Sequence, residues 1–234
     1  MVPARSQQIT AAGDEYGVSY AYGHERVVLA AAVDLDSGVT HDSHWPRTVT
    51  WLILAATVAQ LAVATFSSGL EQFEGKAFGA RLVAYPLMML AVPAAYELKR
   101  RISGSTGPRP WSAFALIMAP FLIDVTGNTL NLYDSIVWWD DLNHFVNWFL
   151  LAAGIGVLVS RTKISPPWAL GWFVTGVGAI LAIGWELGEW YAFIRHGTEL
   201  DTAYQDTLGD LALGTLGASL AGLVVALHAR RSRQ

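Results

Sequence analysis

An all-α polytopic membrane fold with six transmembrane helices is what this sequence predicts, and three observations carry the prediction. Of 234 residues, 53% are hydrophobic and only 15% charged, well under the quarter usual in a soluble domain, and mean hydropathy is +0.36. The apolar residues fall in six blocks, 48–66, 78–96, 111–132, 141–160, 167–190 and 206–228, each near the 20 residues of helix that cross a hydrocarbon core. Finally, all but three of the 15 basic residues fall on one side of such a bundle. Cytoplasmic loops collect Lys and Arg, so both termini are placed in the cytoplasm.

The elements follow in order. Residues 1–47 mix Gly, Ala, Ser, Asp and His without strong periodicity and read as a largely disordered cytoplasmic tail. Their one apolar run, VVLAAAV, is too short to span and is flanked by acids, unlike a signal peptide. Arg5, Arg26 and Arg47 lie in this tail, before the first span. The second span carries Pro86 and Pro93 and ends at Lys99, Arg100 and Arg101, with Arg109 before the third. Arg161 and Lys163 separate the fourth and fifth. Arg230, Arg231 and Arg233 fall in a basic tail, 229–234, after a membrane domain of 48–228. Only Lys76, Arg81 and Arg195 lie on the outer side. Small-residue stripes, Gly171/Thr175/Gly178 and Gly214/Ala218/Gly222, predict close packing within the fifth and sixth spans.

The outer side is acidic, and part of that is ordinary. Asp140, Asp141 and Asp206 open helices at their positive ends, and Thr202-Ala203-Tyr204-Gln205 fits a capping box. Other acids are not explained this way. Glu186 and Glu189 in GWELGEWY lie near the negative end of the fifth helix, beside the interfacial anchors Trp190 and Tyr191. Asp124 in the third span precedes Tyr133 by nine residues, which is about 13 Å of helix axis. An acid inside a membrane requires a partner and is a functional hypothesis.

Four pairs recur at helical spacing: Asp124/Asn128, Asp141/His144, Glu186/Glu189 and Asp206/Asp210. Residues three or four apart share a helix face, so four consecutive helices offer polar groups to one interior. Arg195 is the only base in the last outer loop, and no base is expected at the depth of these acids. Protonation or a bound cation remains as compensation. Oxygen ligands suit Mg, Mn or Ca, and the imidazole of His144 admits Zn or Fe. The expected metal ligands are Asp124, Asp141, His144, Glu189 and Asp210, with Asn128, Asp206 and Asp140 in support. Glu186 is the expected catalytic acid or base. There is no cysteine, which excludes disulfides and thiolate chemistry, and the scattered basic residues give no nucleic-acid footprint.

The motifs Asp141-Leu-Asn-His144, Glu186-Leu-Gly-Glu189 and Asp206-Thr-Leu-Gly-Asp210 resemble those of the YjdF-like bacterial inner-membrane proteins, themselves similar to the VanZ-like group. The resemblance covers about residues 78–225. It departs from the VanZ-like pattern at Leu142, where that group has Lys, at Glu189, where it has Gln, and at Gly214, where Asn or Asp is usual. The first two changes remove a base and add an acid, which favours a cation; the third argues against a further ligand from the sixth helix. The resemblance implies a multi-pass inner-membrane protein with an envelope or lipid-linked role.

Three functions fit: a metal-dependent hydrolase acting on envelope lipid or lipid-linked substrates, a non-enzymatic cation- or ligand-binding protein, and a proton- or cation-coupled transporter. The apolar runs LLAAGIGVLV, FVTGVGAILAI and LALGTLGASLAGLVVA below the acids leave no polar path across the membrane and disfavour the transporter.

Overall fold

A computed structural model describes residues 45–67, 69–162, 164–192, 194–196 and 202–232. The reading of 1–47 as a tail therefore falls almost wholly outside the described residues. Six long helices account for most of the rest: α1 (Trp45–Phe66), α2 (Phe78–Ile102), α3 (Trp111–Thr129), α4 (Trp139–Ser160), α5 (Pro167–Ala192) and α6 (Ala203–Arg231). Each is long and apolar enough to cross a membrane. The helical fold class and the six predicted blocks agree with this, with ends displaced by a few residues. The last helix runs on through Arg231, into the expected basic tail.

Local chemistry fixes the ends. Lys99, Arg100 and Arg101 occupy the last turn of α2, where cations complement the helix dipole. Gly104 follows at φ 64, in the left-handed region that closes a helix C-terminus. Thr202 is the N-cap of α6 but makes no side-chain capping bond. The predicted capping box is thus corrected: the residue takes αR backbone angles (φ −100, ψ −14), and its hydroxyl does not serve the first turn. Within the spans, Thr50 and Thr57 return their hydroxyls to carbonyls four residues back at 2.8 Å, so these donors are satisfied without water.

Packing runs α2 on α1, α1 on α3, α3 on α4, and α4 and α5 on α6. The small-residue stripes do what their pattern predicts. A Cβ at Gly171 would meet the Gly222 carbonyl oxygen at 2.9 Å, and one at Gly178 would run into Ala218, so α5 and α6 touch backbone to backbone. Gly217 likewise abuts the Phe145 carbonyl of α4. The outward faces carry Val83, Leu87, Ile180 and Leu187, all well exposed, as in a bundle whose surroundings are as apolar as its side chains.

Candidate functional site

At the end of the bundle where α3 finishes and α4 begins, five of the six long helices enclose a cavity of about 630 Å³. Its depth is lined by Pro120, Phe121, Trp148, Leu151 and Trp185, and its mouth by Lys76, Asp134, Asp140 and Asp206. The mouth is partly closed by Lys76, whose ammonium pairs with Asp134 at 3.1 Å.

Asp124 stands on the α3 wall and is fully engaged. Arg81 Nη1 lies 3.1 Å from its Oδ2, the Tyr85 hydroxyl donates to the same oxygen at 2.6 Å, and the Tyr133 hydroxyl donates to Oδ1 at 2.8 Å. Asn128 caps the local backbone, Nδ2 donating to the Asp124 carbonyl at 3.1 Å. Burial and the nearby Asp124 charge push the Tyr133 phenol well above its ordinary range, so it remains a donor. Two expectations are corrected here. A base is present at this depth, because Arg81 sits in the first turn of α2 and reaches across to α3. Tyr133 is also not nine residues further along the axis. The helix ends at Thr129, Asn131 turns left-handed at φ 55, and a one-turn helix, Leu132–Ser135, folds the ring back over Asp124.

His144 stands on α4 with a different outcome. Its Nε2 lies 3.5 Å from Asp210 Oδ1 and 3.7 Å from Asp140 Oδ1, and its Nδ1 lies 3.7 Å from Glu186 Oε1. None of these is a hydrogen bond, and His144 Nδ1 and Glu186 Oε1 are buried without a partner. His144 is 9% exposed, Glu186 5% and Asp210 4%. Two ligand sets with all donor atoms within 4.8 Å of one another share this ring: Asp140/His144/Asp210 and His144/Glu186/Glu189. Unpaired polar atoms in such a place cost about 1–3 kcal/mol each.

The expected ligands divide accordingly. His144 shares one set with Asp140 and Asp210 and the other with Glu186 and Glu189, and Asp210 and Glu186 are brought there by α6 and α5 in mutual contact. Asp124 does not join either set, its oxygens being taken by Arg81 and the two tyrosines. Asp141 is exposed and lines a shallow pocket with Thr202, Gln205, Asp206 and Gly209. The inward aspartate is Asp140, four residues before His144 rather than three. Asp206 and Asn128 line the main cavity, whereas Glu186, expected as the acid or base, does not. Gly214 offers no ligand because the Trp148 indole fills its place, 2.6 Å from where a Cβ would stand.

Sequence reasoning missed Arg81, Tyr85, Tyr133 and Asn147. Arg81 and Tyr85 are four apart on one face of α2, a signal that was available. Asn147 lines the cavity, donates to Asn143 at 3.1 Å, and keeps its own Oδ1 buried and unpartnered; at i+3 from His144 it was also readable.

Residues 49–231 match the model of a family described as predicted membrane protein (DUF2238). No curated protein and no solved structure matches the chain. The chain belongs to this family of predicted membrane proteins.

Proposed function

We propose that this member of the predicted membrane protein family holds a divalent metal ion around His144 and is a metal-dependent hydrolase of envelope lipids or lipid-linked molecules. The single observation that supports it most is the set of separations around the imidazole. At 3.5 and 3.7 Å His144 Nε2 and the Asp210 and Asp140 oxygens are too far apart to hydrogen-bond. Donors at about 2.0–2.2 Å from a common ion, however, stand roughly 3–3.5 Å from each other. The imidazole suits Zn or Fe, and the surrounding carboxylates also suit Mg or Mn.

A bound ion would supply Lewis acidity and lower the pKa of adjacent water. Glu189 and Asp206, both lining the cavity, are the carboxylates placed to take a proton there. The apolar depth around Leu151, Phe121 and Trp185 suits an acyl or isoprenoid chain, and the polar mouth suits its headgroup. The distribution of Lys and Arg supports an outward-facing site with both termini in the cytoplasm. The motif resemblance to YjdF-like and VanZ-like proteins supports a bacterial inner-membrane setting. Beyond the cavity, α4, α5 and α6 close on Ala152, Val174, Ala218 and Ala221, all fully buried, which favours a one-sided site over a transport path.

The test is elemental mass spectrometry on protein purified in mild detergent without chelator, beside His144→Ala and Asp210→Ala. Near-stoichiometric metal in the parent, lost in both variants while they stay monodisperse, supports the reading and opens lipid-phosphate and ester hydrolysis assays. Metal-free folded protein that takes up neither Zn nor Mn on addition sinks it.

A further inference from the structure

The structure assigns different jobs to the two nitrogens of His144: Nε2 binds the metal together with Asp140 and Asp210, and Nδ1–H is held by Glu186, a positioning residue. This inference rests on the metal reading above and says on which side of the ring the ion sits.

A neutral imidazole carries one proton and one lone pair. Here it has carboxylates on both sides, and an ion can occupy only the side that lacks the proton. The two sides differ in access. Asp140 and Asp210, facing Nε2, line the cavity along with His144 itself, and the Asp140 side chain is 46% exposed. Glu186, facing Nδ1, is absent from the cavity lining, and its side chain is 6% exposed. A catalytic metal needs an open position for substrate or water. A proton shared between two buried atoms needs none.

The orphaned atoms support the same division. His144 Nδ1 and Glu186 Oε1 face each other at 3.7 Å, and each is buried with no other partner. Placing the ring proton on Nδ1 pairs a donor with the acceptor it faces, and a shift of about 0.5 Å brings the 3.7 Å separation into hydrogen-bond range. A metal-ligating imidazole commonly donates its other N–H to a carboxylate, which fixes the tautomer and raises the basicity of the ligating nitrogen. Three helices contribute to this arrangement, with the ring and Asp140 coming from α4, Asp210 from α6 and Glu186 from α5. The rival arrangement puts the ion on Nδ1 between Glu186 and Glu189, the second ligand set.

The experiment is two-bond ¹H–¹⁵N correlation spectroscopy of the full chain, labelled with ¹⁵N-histidine, in micelles before and after one equivalent of Zn(II). His144→Gln identifies the signal, and competition with a chelating dye gives Zn affinity for Glu186→Gln and Glu186→Ala. The expected spectrum has a protonated Nδ1 and a zinc-shifted Nε2. Glu186→Gln, which still accepts through its amide oxygen, stays within about tenfold of the parent in affinity, and Glu186→Ala falls about 10–100-fold. Zinc on Nδ1, or equal near-complete loss of zinc in both Glu186 variants, overturns the assignment and leaves the metal reading standing. Folded protein that takes no zinc overturns the assignment, and folded protein that takes up neither Zn nor Mn overturns both.

Discussion

Asp124 and His144 lie on facing walls of one cavity and meet burial in opposite ways. Asp124 has gathered a guanidinium and two phenols around a single carboxylate, so its charge is answered from within the chain. His144 has gathered carboxylates on both sides and no hydrogen bond to any of them. One wall is closed by its own hydrogen bonds; the other leaves His144 Nδ1 and Glu186 Oε1 without a partner. A buried ionic group that is complete serves the fold, and one that is incomplete marks where stability has been given up for binding.

The contrast can be broken most severely at Arg81. Arg81→Met leaves Asp124 with its two phenols but without a counter-charge, and a loss of about 3–5 kcal/mol is expected, seen as a large fall in melting temperature in detergent. Adding Asp124→Leu to it restores part of the loss. On the other wall the sign reverses. In metal-free protein, His144→Leu combined with Glu186→Leu is neutral or stabilising by about 1–4 kcal/mol, and a marked destabilisation there would show that the cluster is structural after all. Tyr133→Phe removes one donor to the Asp124 carboxylate and costs about 1.5–3 kcal/mol, with metal content unchanged.

Smaller effects sharpen the picture. Asp140→Asn weakens metal binding about tenfold or more, about 1.4 kcal/mol, whereas Asp141→Asn leaves it within twofold; equal effects would undo the choice between the neighbours. Metal affinity should also fall as pH falls, because each ligand must shed its proton to bind, and a titration from neutral to mildly acid pH checks it. Lys76→Ala, which opens an ion pair with one partner half exposed, stays within about 1 kcal/mol of the parent.

How much of this was readable in the chain depends on whether the deciding contact is local. The six spans are visible because length and apolarity act within one segment. The α5–α6 seam is visible because small residues repeat at helical spacing. Asp140 and Asp141 could not be told apart, since positions three and four before His144 share its face and only the start of α4 at Trp139 settles which turns inward. Arg81 reads only as an outer-side base because its partner is 43 residues away. Asp124's second tyrosine depended on a left-handed Asn131, which no periodicity signals. Glu186 reads as a cavity acid until the packing of α5 on α6 puts it behind the imidazole.

The turn between α3 and α4 has a consequence of its own. Gly127 lies beneath the Trp139 and Tyr133 rings, with no room for a Cβ (2.9 Å to Tyr133), and residues 130–138 wrap from there to the first turn of α4. A residue inserted within the first turn of α4, between Trp139 and His144, would rotate His144 by about 100° and shift it about 1.5 Å relative to that anchored start. His144 would then leave the cavity wall altogether, although no side chain in the site had changed. The spacing between the Gly127–Trp139 contact and His144 is therefore as much a part of the site as its side chains.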